Sequence, residues 1–252
     1  HGAERMHSFD RKEPAPLPAP IRMGVRQNLI FLFNSKYLLS IALIVLSYNI
    51  FSNLTEVIWK GELRALCPDS NHYNIYMGKV VTWTGVISVM IAFTANGFLQ
   101  TAKWTTVAII SPLIMLVTSV GFFLFLMFNN LGLGAMTILG CTPLAISVFF
   151  GAAQNCLMRS VKYTIFESTK EIAFIPLDKE SKLKGKAAID GIGSRLGKSG
   201  GAAIYQGLLL CVGTLGASVP YVAVILLGVI MLWIWAVKSL GKQFEKLAIP
   251  TS

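Results

Sequence analysis

Three observations make this sequence that of an all-α membrane protein with six transmembrane helices. Of its 252 residues 54% are hydrophobic and only 13% charged, too few charges for the polar surface of a soluble domain of this length. The apolar residues gather in blocks of about twenty, the helix length that crosses a hydrocarbon core of about 30 Å. The Lys and Arg residues fall almost entirely on one of the two sets of connecting segments.

Residues 1–34 form a linker arm. Its "EPAPLPAPIR" stretch has the proline density of an extended linker, and residues 21–33 follow as an amphipathic lead-in, with Arg22 and Arg26 among apolar neighbours. No signal peptide is visible, and His1 stands where Met would, so the chain reads as beginning inside a loop of something larger, or after a vector-derived leader. Six spans follow in residues 35–238, at 37–57, 80–98, 107–128, 139–158, 200–215 and 219–237, with a long polar loop at 159–199 and a tail at 239–252. Pro112 and Pro143 lie in early turns of their spans, where a missing N–H costs least. Trp59, Trp104, Trp233 and Trp235 fall near span ends, where interfacial aromatics are expected.

Six spans put both termini on one side. All of the 22 Lys and Arg residues except Lys60, Arg64 and Lys79 then lie before the first span, in the loop at Lys103, in the loop 159–199 or after the last span, which makes that side the cytoplasm. The net charge of +10, a sign of nucleic-acid binding in a soluble protein, is here mostly topological, and no nucleic-acid partner is expected. The four cysteines show no metal-ligand spacing and two of the three histidines sit in the arm, so neither a metal nor another cofactor is expected. No nucleophile–His–acid set or paired carboxylates suggest an enzyme.

Three polar features interrupt the apolar spans. In "SYNIFSNLTEVIWK", Asn49, Asn53, Glu56 and Lys60 recur at i, i+4, i+7 and i+11, one face of a helix, with Leu46, Ile50, Leu54 and Val57 opposite. A polar stripe in a membrane helix must face protein or water. It is either an interhelical hydrogen-bond cluster with a Glu56–Lys60 pair or the wall of an aqueous path, and its length of about three turns favours the path. In "GAAQNCLMRSVKYTIF", Asn155, Arg159 and Lys162 share a face that suits an anionic ligand, although positive-inside anchoring explains either cation singly; Gln154 broadens this polar surface. The third, "GIGSRLGKSGGAAIYQG", fails as a Walker A loop because Ile192 stands where glycine is required, and fails as GxGxxG because Gly191 and Gly193 are followed by Gly197. Its glycines, Lys198 and the start of the fifth span could still bind phosphate through free N–H groups, or could form a flexible hinge with one anchoring lysine.

"YNIFSNLTEVIWK", "KYTIFESTKEIAFIPLD" and "KLKGKAAIDGIGSRLGKSGG" closely resemble the bacterial and plastid-type ATP/ADP translocases, a family unrelated to the mitochondrial carriers. The resemblance runs from about Tyr37 to Phe244. It implies the C-terminal half of a twelve-span transporter similar to the major facilitator folds, partnered by an N-terminal half and the lipid bilayer, with ATP and ADP as substrates. It also implies a bacterial inner membrane, or alternatively a plastid inner envelope. Glu56 and Lys198 match residues regarded as essential for transport in the family, and Lys198 with the Arg159/Lys162 face is expected to meet the phosphates. Where the family commonly has an Asp-Pro pair, this chain has Glu167 and Ser168. The expected function is ATP/ADP exchange by alternating access; the alternatives are a proton-coupled importer of several nucleotides and a non-transporting membrane scaffold.

Overall fold

Every regular element among the described residues is a helix. The computed structural model describes residues 25–131 and 140–248, without the side chains of 25–29, 96, 98–100, 192, 194, 198, 215 and 248. The proline-rich arm and Arg22 lie outside the described residues. The helices are α1 (Val25–Asn34), α2 (Lys36–Leu66), α3 (Ser70–Thr101), α4 (Trp104–Asn130) and α5 (Pro143–Val161), then α6 (Glu167–Ala173), α7 (Lys179–Ala188), α8 (Ser194–Val212) and α9 (Leu215–Ala248). Wider π-helical turns at Lys162–Phe166 and Ile189–Gly193 join α5 to α6 and α7 to α8.

Local chemistry sets the boundaries. Ser35 caps α2 by accepting the Leu38 N–H, and Thr142 caps α5 by accepting that of Ala145, with Pro143 in the first position. Asp178 caps α7; the hydrogen bond from the Ser181 N–H holds its exposed carboxyl below the ordinary carboxylate range. Gly213, at φ +83°, ends α8 in the left-handed conformation, its N–H returned to Leu209 O at 2.8 Å. α1 has the two-sided character of a surface helix: Leu32 is buried, Ile30 and Phe33 exposed.

α2 is the central column, packed against α5, α8 and α9. It buries Phe51, Leu54, Ile58, Trp59 and Leu63 in a core that also holds Phe122 and Leu126 of α4 and a line of α9 from Val219 to Leu240. Many large apolar side chains point outward instead, among them Phe93, Val117 and Leu210. In lipid such exposure carries little penalty, and close fit rather than hydrophobic burial holds helices together. Gly151 shows how close the fit is: a Cβ there would lie 2.3 Å from Cδ1 of Trp59.

Five helices are long and apolar enough to cross a membrane: Lys36–Leu66, Ser70–Ala95, Trp104–Asn130, the continuous Pro143–Ala173 and Gly216–Leu247. They extend past the expected spans, most of all at α3, which begins ten residues before residue 80, and α9, which carries most of the expected tail as helix. The expected span at 200–215 forms as α8, 19 residues long and interrupted by small and polar residues; it is not among the five. Pro143 sits where expected, whereas Pro112 lies two turns inside α4 because that helix starts at Trp104.

Two of the four tryptophans correct the interfacial reading. Trp59 and Trp233 are fully buried. Trp59 donates from Nε1 to Val148 O at 3.1 Å, and Trp233 meets Tyr48 and Phe166 edge-on. Both stand on the inward stripe of their helices, and helix face outweighs position along the span. Trp235 keeps 59% exposure.

Replacing Trp59 with Phe removes the Nε1–Val148 O hydrogen bond and leaves a space beside Gly151. The variant is expected to lose about 1 kcal/mol of stability, seen as a lower melting temperature in detergent, while Trp235→Phe melts with the wild type.

Candidate functional site

The stripe on α2 is assembled as its spacing predicts. Asn49 is buried and turns Nδ2 back to Val45 O at 2.8 Å, while Asn53 is half-buried with an Oδ1 that has no partner among the described residues. One carboxylate oxygen of Glu56, Oε1, accepts from Lys60 Nζ at 2.7 Å and from Arg159 Nη2 at 3.0 Å. The Lys60 contact is the i, i+4 pair visible in sequence. The Arg159 contact joins α2 to α5 across 103 positions and merges the first two polar features into one. One anion between two cations leaves the cluster with a net positive charge, and the three side chains are partly exposed.

Not all of the α5 feature belongs to that cluster. Asn155 is buried and bonded to Gly151 O at 2.9 Å, with Oδ1 unpartnered among the described residues. Gln154 does not broaden the polar surface: it turns to α4 and donates to Ser119 Oγ at 2.6 Å, because one residue is a rotation of about 100°. Lys162 begins the π-helical turn and makes no ion pair among the described residues; its Nζ lies 5.7 Å from the Tyr48 ring centroid and 5.5 Å from that of Tyr163. It opens on a cleft of about 110 Å³ shared with Tyr48, Asn49, Glu167, Lys170 and Asp190. A roomier cavity, about 340 Å³ between α3 and α5, is lined mainly by apolar groups such as Val80, Trp83, Ile87 and Phe149. The charged chemistry is in the smaller cleft.

The glycine-rich feature is a correction. Gly197, Lys198, Gly200 and Gly201 lie inside α8, which follows directly from the π-helical turn, so they form neither a hinge nor a helix start with free N–H groups. Their glycines make a close crossing instead: a Cβ on Gly197 would lie 2.4 Å from Asn49 Cβ, and one on Gly201 2.9 Å from Asn53 Cβ. The spacing of four is a small-residue seam, and it carries the backbone of Lys198 to the polar stripe of α2. The Lys198 side chain lies outside what is described.

Sequence reasoning missed Tyr48, Lys170 and Asp190. Lys170, with a side chain 10% exposed, pairs with Glu167 at 2.6 Å and Asp190 at 3.1 Å. Tyr48 stacks on Phe166 with centroids 4.6 Å apart. Lys170 follows Glu167 at i+3, a readable pair; the Asp190 contact joins segments 20 residues apart and has no local signal.

The family model described as TLC ATP/ADP transporter matches residues 7–244. The chain is 42% identical over 241 residues to ADP,ATP carrier protein 1 of Chlamydia pneumoniae, covering 95% of this chain and 47% of that protein. It is 42% identical over 226 residues to the chloroplastic ADP,ATP carrier protein 2 of Arabidopsis thaliana, covering 90% and 37%, and 39% identical over 232 residues to ADP,ATP carrier protein 1 of Rickettsia bellii, covering 91% and 47%. It thus spans half or less of the length of these curated relatives. No solved structure matches.

The seam between α2 and α8 is open to a direct check. Gly197→Ala is expected to force the helices apart at a cost of about 1–3 kcal/mol. Gly207→Ala, on the same helix with nothing within 4 Å of its added Cβ, should be neutral or raise stability by up to about 1 kcal/mol. Thermal unfolding of the two variants in detergent compares them.

Proposed function

The chain belongs to the TLC ATP/ADP transporter family, and we propose that it forms the C-terminal half of a membrane carrier exchanging ATP for ADP by alternating access. In this reading α8 is the sixth span, completing one half of a six-plus-six arrangement like that of the major facilitators, and an N-terminal half supplies the other wall of a central chamber. The positive-inside distribution orients both ends toward the cytoplasm of a bacterial inner membrane, or toward the corresponding side of a plastid inner envelope. The carrier moves its substrates unchanged and is not an enzyme.

The observation that carries this proposal is the single oxygen of Glu56 shared between Lys60 and Arg159. With no nucleotide bound, Glu56 acts as a resident counter-ion, holding two cations that would otherwise repel one another. An arriving polyphosphate competes for Arg159, which binds phosphate through two parallel hydrogen bonds, and adds Lys162 and Lys198. Glu56 is then left with Lys60. When the nucleotide leaves, Glu56 takes Arg159 back. This exchange of partners keeps the cations available without holding the ligand so tightly that turnover stops. Asn49, Asn53 and Asn155 are the neutral hydrogen-bonding members of the same wall.

The second reading, proton-coupled import of several nucleotides, draws on the same carboxylate, which can carry a proton when its cations are occupied by phosphate. Counter-exchange in vesicles preloaded with ADP, with and without a proton gradient, separates the two: exchange needs the preload, and proton-coupled import needs the gradient.

In the full-length carrier, Glu56→Gln is expected to slow ATP/ADP exchange by at least about tenfold, about 1.4 kcal/mol, with the protein still in the membrane. Undiminished uptake of labelled ATP would reject the counter-ion role. Lys198→Ala is expected to weaken nucleotide binding by about tenfold or more, and unchanged affinity would remove Lys198 from the phosphate site.

A further inference from the structure

α2 carries a second carboxylate that the exchange reading leaves idle. Glu62 is 6% exposed, six residues beyond Glu56 and rotated from it by about 120° around the helix, so it does not belong to the polar stripe. Seven residues back on its own face is Thr55, buried, with an Oγ1 that has no partner among the described residues. Among the described residues no hydrogen bond or ion pair holds the Glu62 carboxyl.

The charged and titratable groups around it are all engaged or turned elsewhere. On α2, Lys60 is held by Glu56 and the Arg64 guanidinium lies over the Tyr73 ring. On α3, His72 pairs with Asp69, and Lys79 and Tyr76 line the apolar cavity against α5. From α8 the group in electrostatic contact is the Tyr205 hydroxyl. The outer half of α9 offers only Tyr221, which is 55% exposed, and the outer halves of α4 and α5 contain no Asp, Glu, Lys, Arg or His. The burial is made by this chain's own helices. An ionised carboxylate so largely withdrawn from water, with no cation among the described residues, is disfavoured relative to the neutral acid.

We infer that Glu62 is a proton-binding site. It carries its proton as a neutral carboxylic acid while α8 lies against α2, and releases it, –COOH giving –COO⁻ and H⁺, when movement of α8 admits water. Glu62 is four residues from the end of α2 at Leu66, so the proton has a short route to the side of the membrane opposite α6 and α7. The site rests on the burial of Glu62; its release during turnover rests on the carrier reading.

Infrared difference spectroscopy on the full-length carrier in liposomes, wild type minus Glu62→Gln at neutral pH, tests the site. A protonated carboxylic-acid carbonyl band is expected; a carboxylate band in its place overturns the proton site, whether or not the protein exchanges nucleotides. The release is tested by ATP/ADP exchange against the pH of the outer solution. Between about pH 6 and about pH 8 the wild-type rate should change about threefold and the variant's distinctly less; identical profiles overturn the release. Gln mimics the neutral acid, so a Glu62→Gln protein that fails to fold where Glu62→Asp folds also overturns the inference.

Discussion

A carboxylate inside a membrane helix must be reconciled with its surroundings, and the way Glu56 meets that requirement organises this bundle. Its one oxygen holds Lys60 of the same helix and Arg159 of α5. The same two helices also meet where the fully buried Trp59 ring covers Gly151 and its Nε1 bonds to Val148. Polar and apolar contacts therefore set the same spacing between α2 and α5. Exposed ion pairs of this kind contribute little to stability, about 0–1 kcal/mol each. Their consequence is placement: one guanidinium and one ammonium group are kept on one patch around a shared carboxylate oxygen.

The far end of the bundle is fixed differently. Tyr37, at the start of α2, donates to the Ala173 carbonyl at 2.6 Å. Lys170 ties Glu167 to Asp190, and Lys186 pairs with Glu171. These contacts hold α6 and the π-helical turn before α8 to one another, so the long polar stretch at 159–199 is a folded cap of helices and not a tether. Both π-helical turns fall here, at the ends of segments that carry functional candidates, where such widened turns are common.

Periodicity made much of this legible. The α2 stripe, the i, i+4 pair of Glu56 and Lys60, the first-turn position of Pro143 and the apolar blocks all depend on neighbours along the chain, and local spacing encodes them. What escaped depends on the face a residue presents or on a distant partner. Trp59 and Trp233 lie near expected span ends yet turn inward. Gln154 and Asn155 are adjacent, but one turns to Ser119 of α4 and the other back to Gly151 of its own helix. Arg159 finds Glu56 across 103 positions. The glycines of "GKSGG" were read for what their backbone could expose, whereas their spacing of four records what they let come near.

That spacing sets a limit on how this part of the chain can vary. Glycine is already the smallest residue, so the distance between α8 and the asparagines of α2 is at its floor: every replacement at Gly197 or Gly201 adds bulk and none removes it. Variation at these two positions acts as a one-way ratchet, able to loosen the crossing and never to draw it closer. Any gain in firmness between these two helices has to come from the asparagine side.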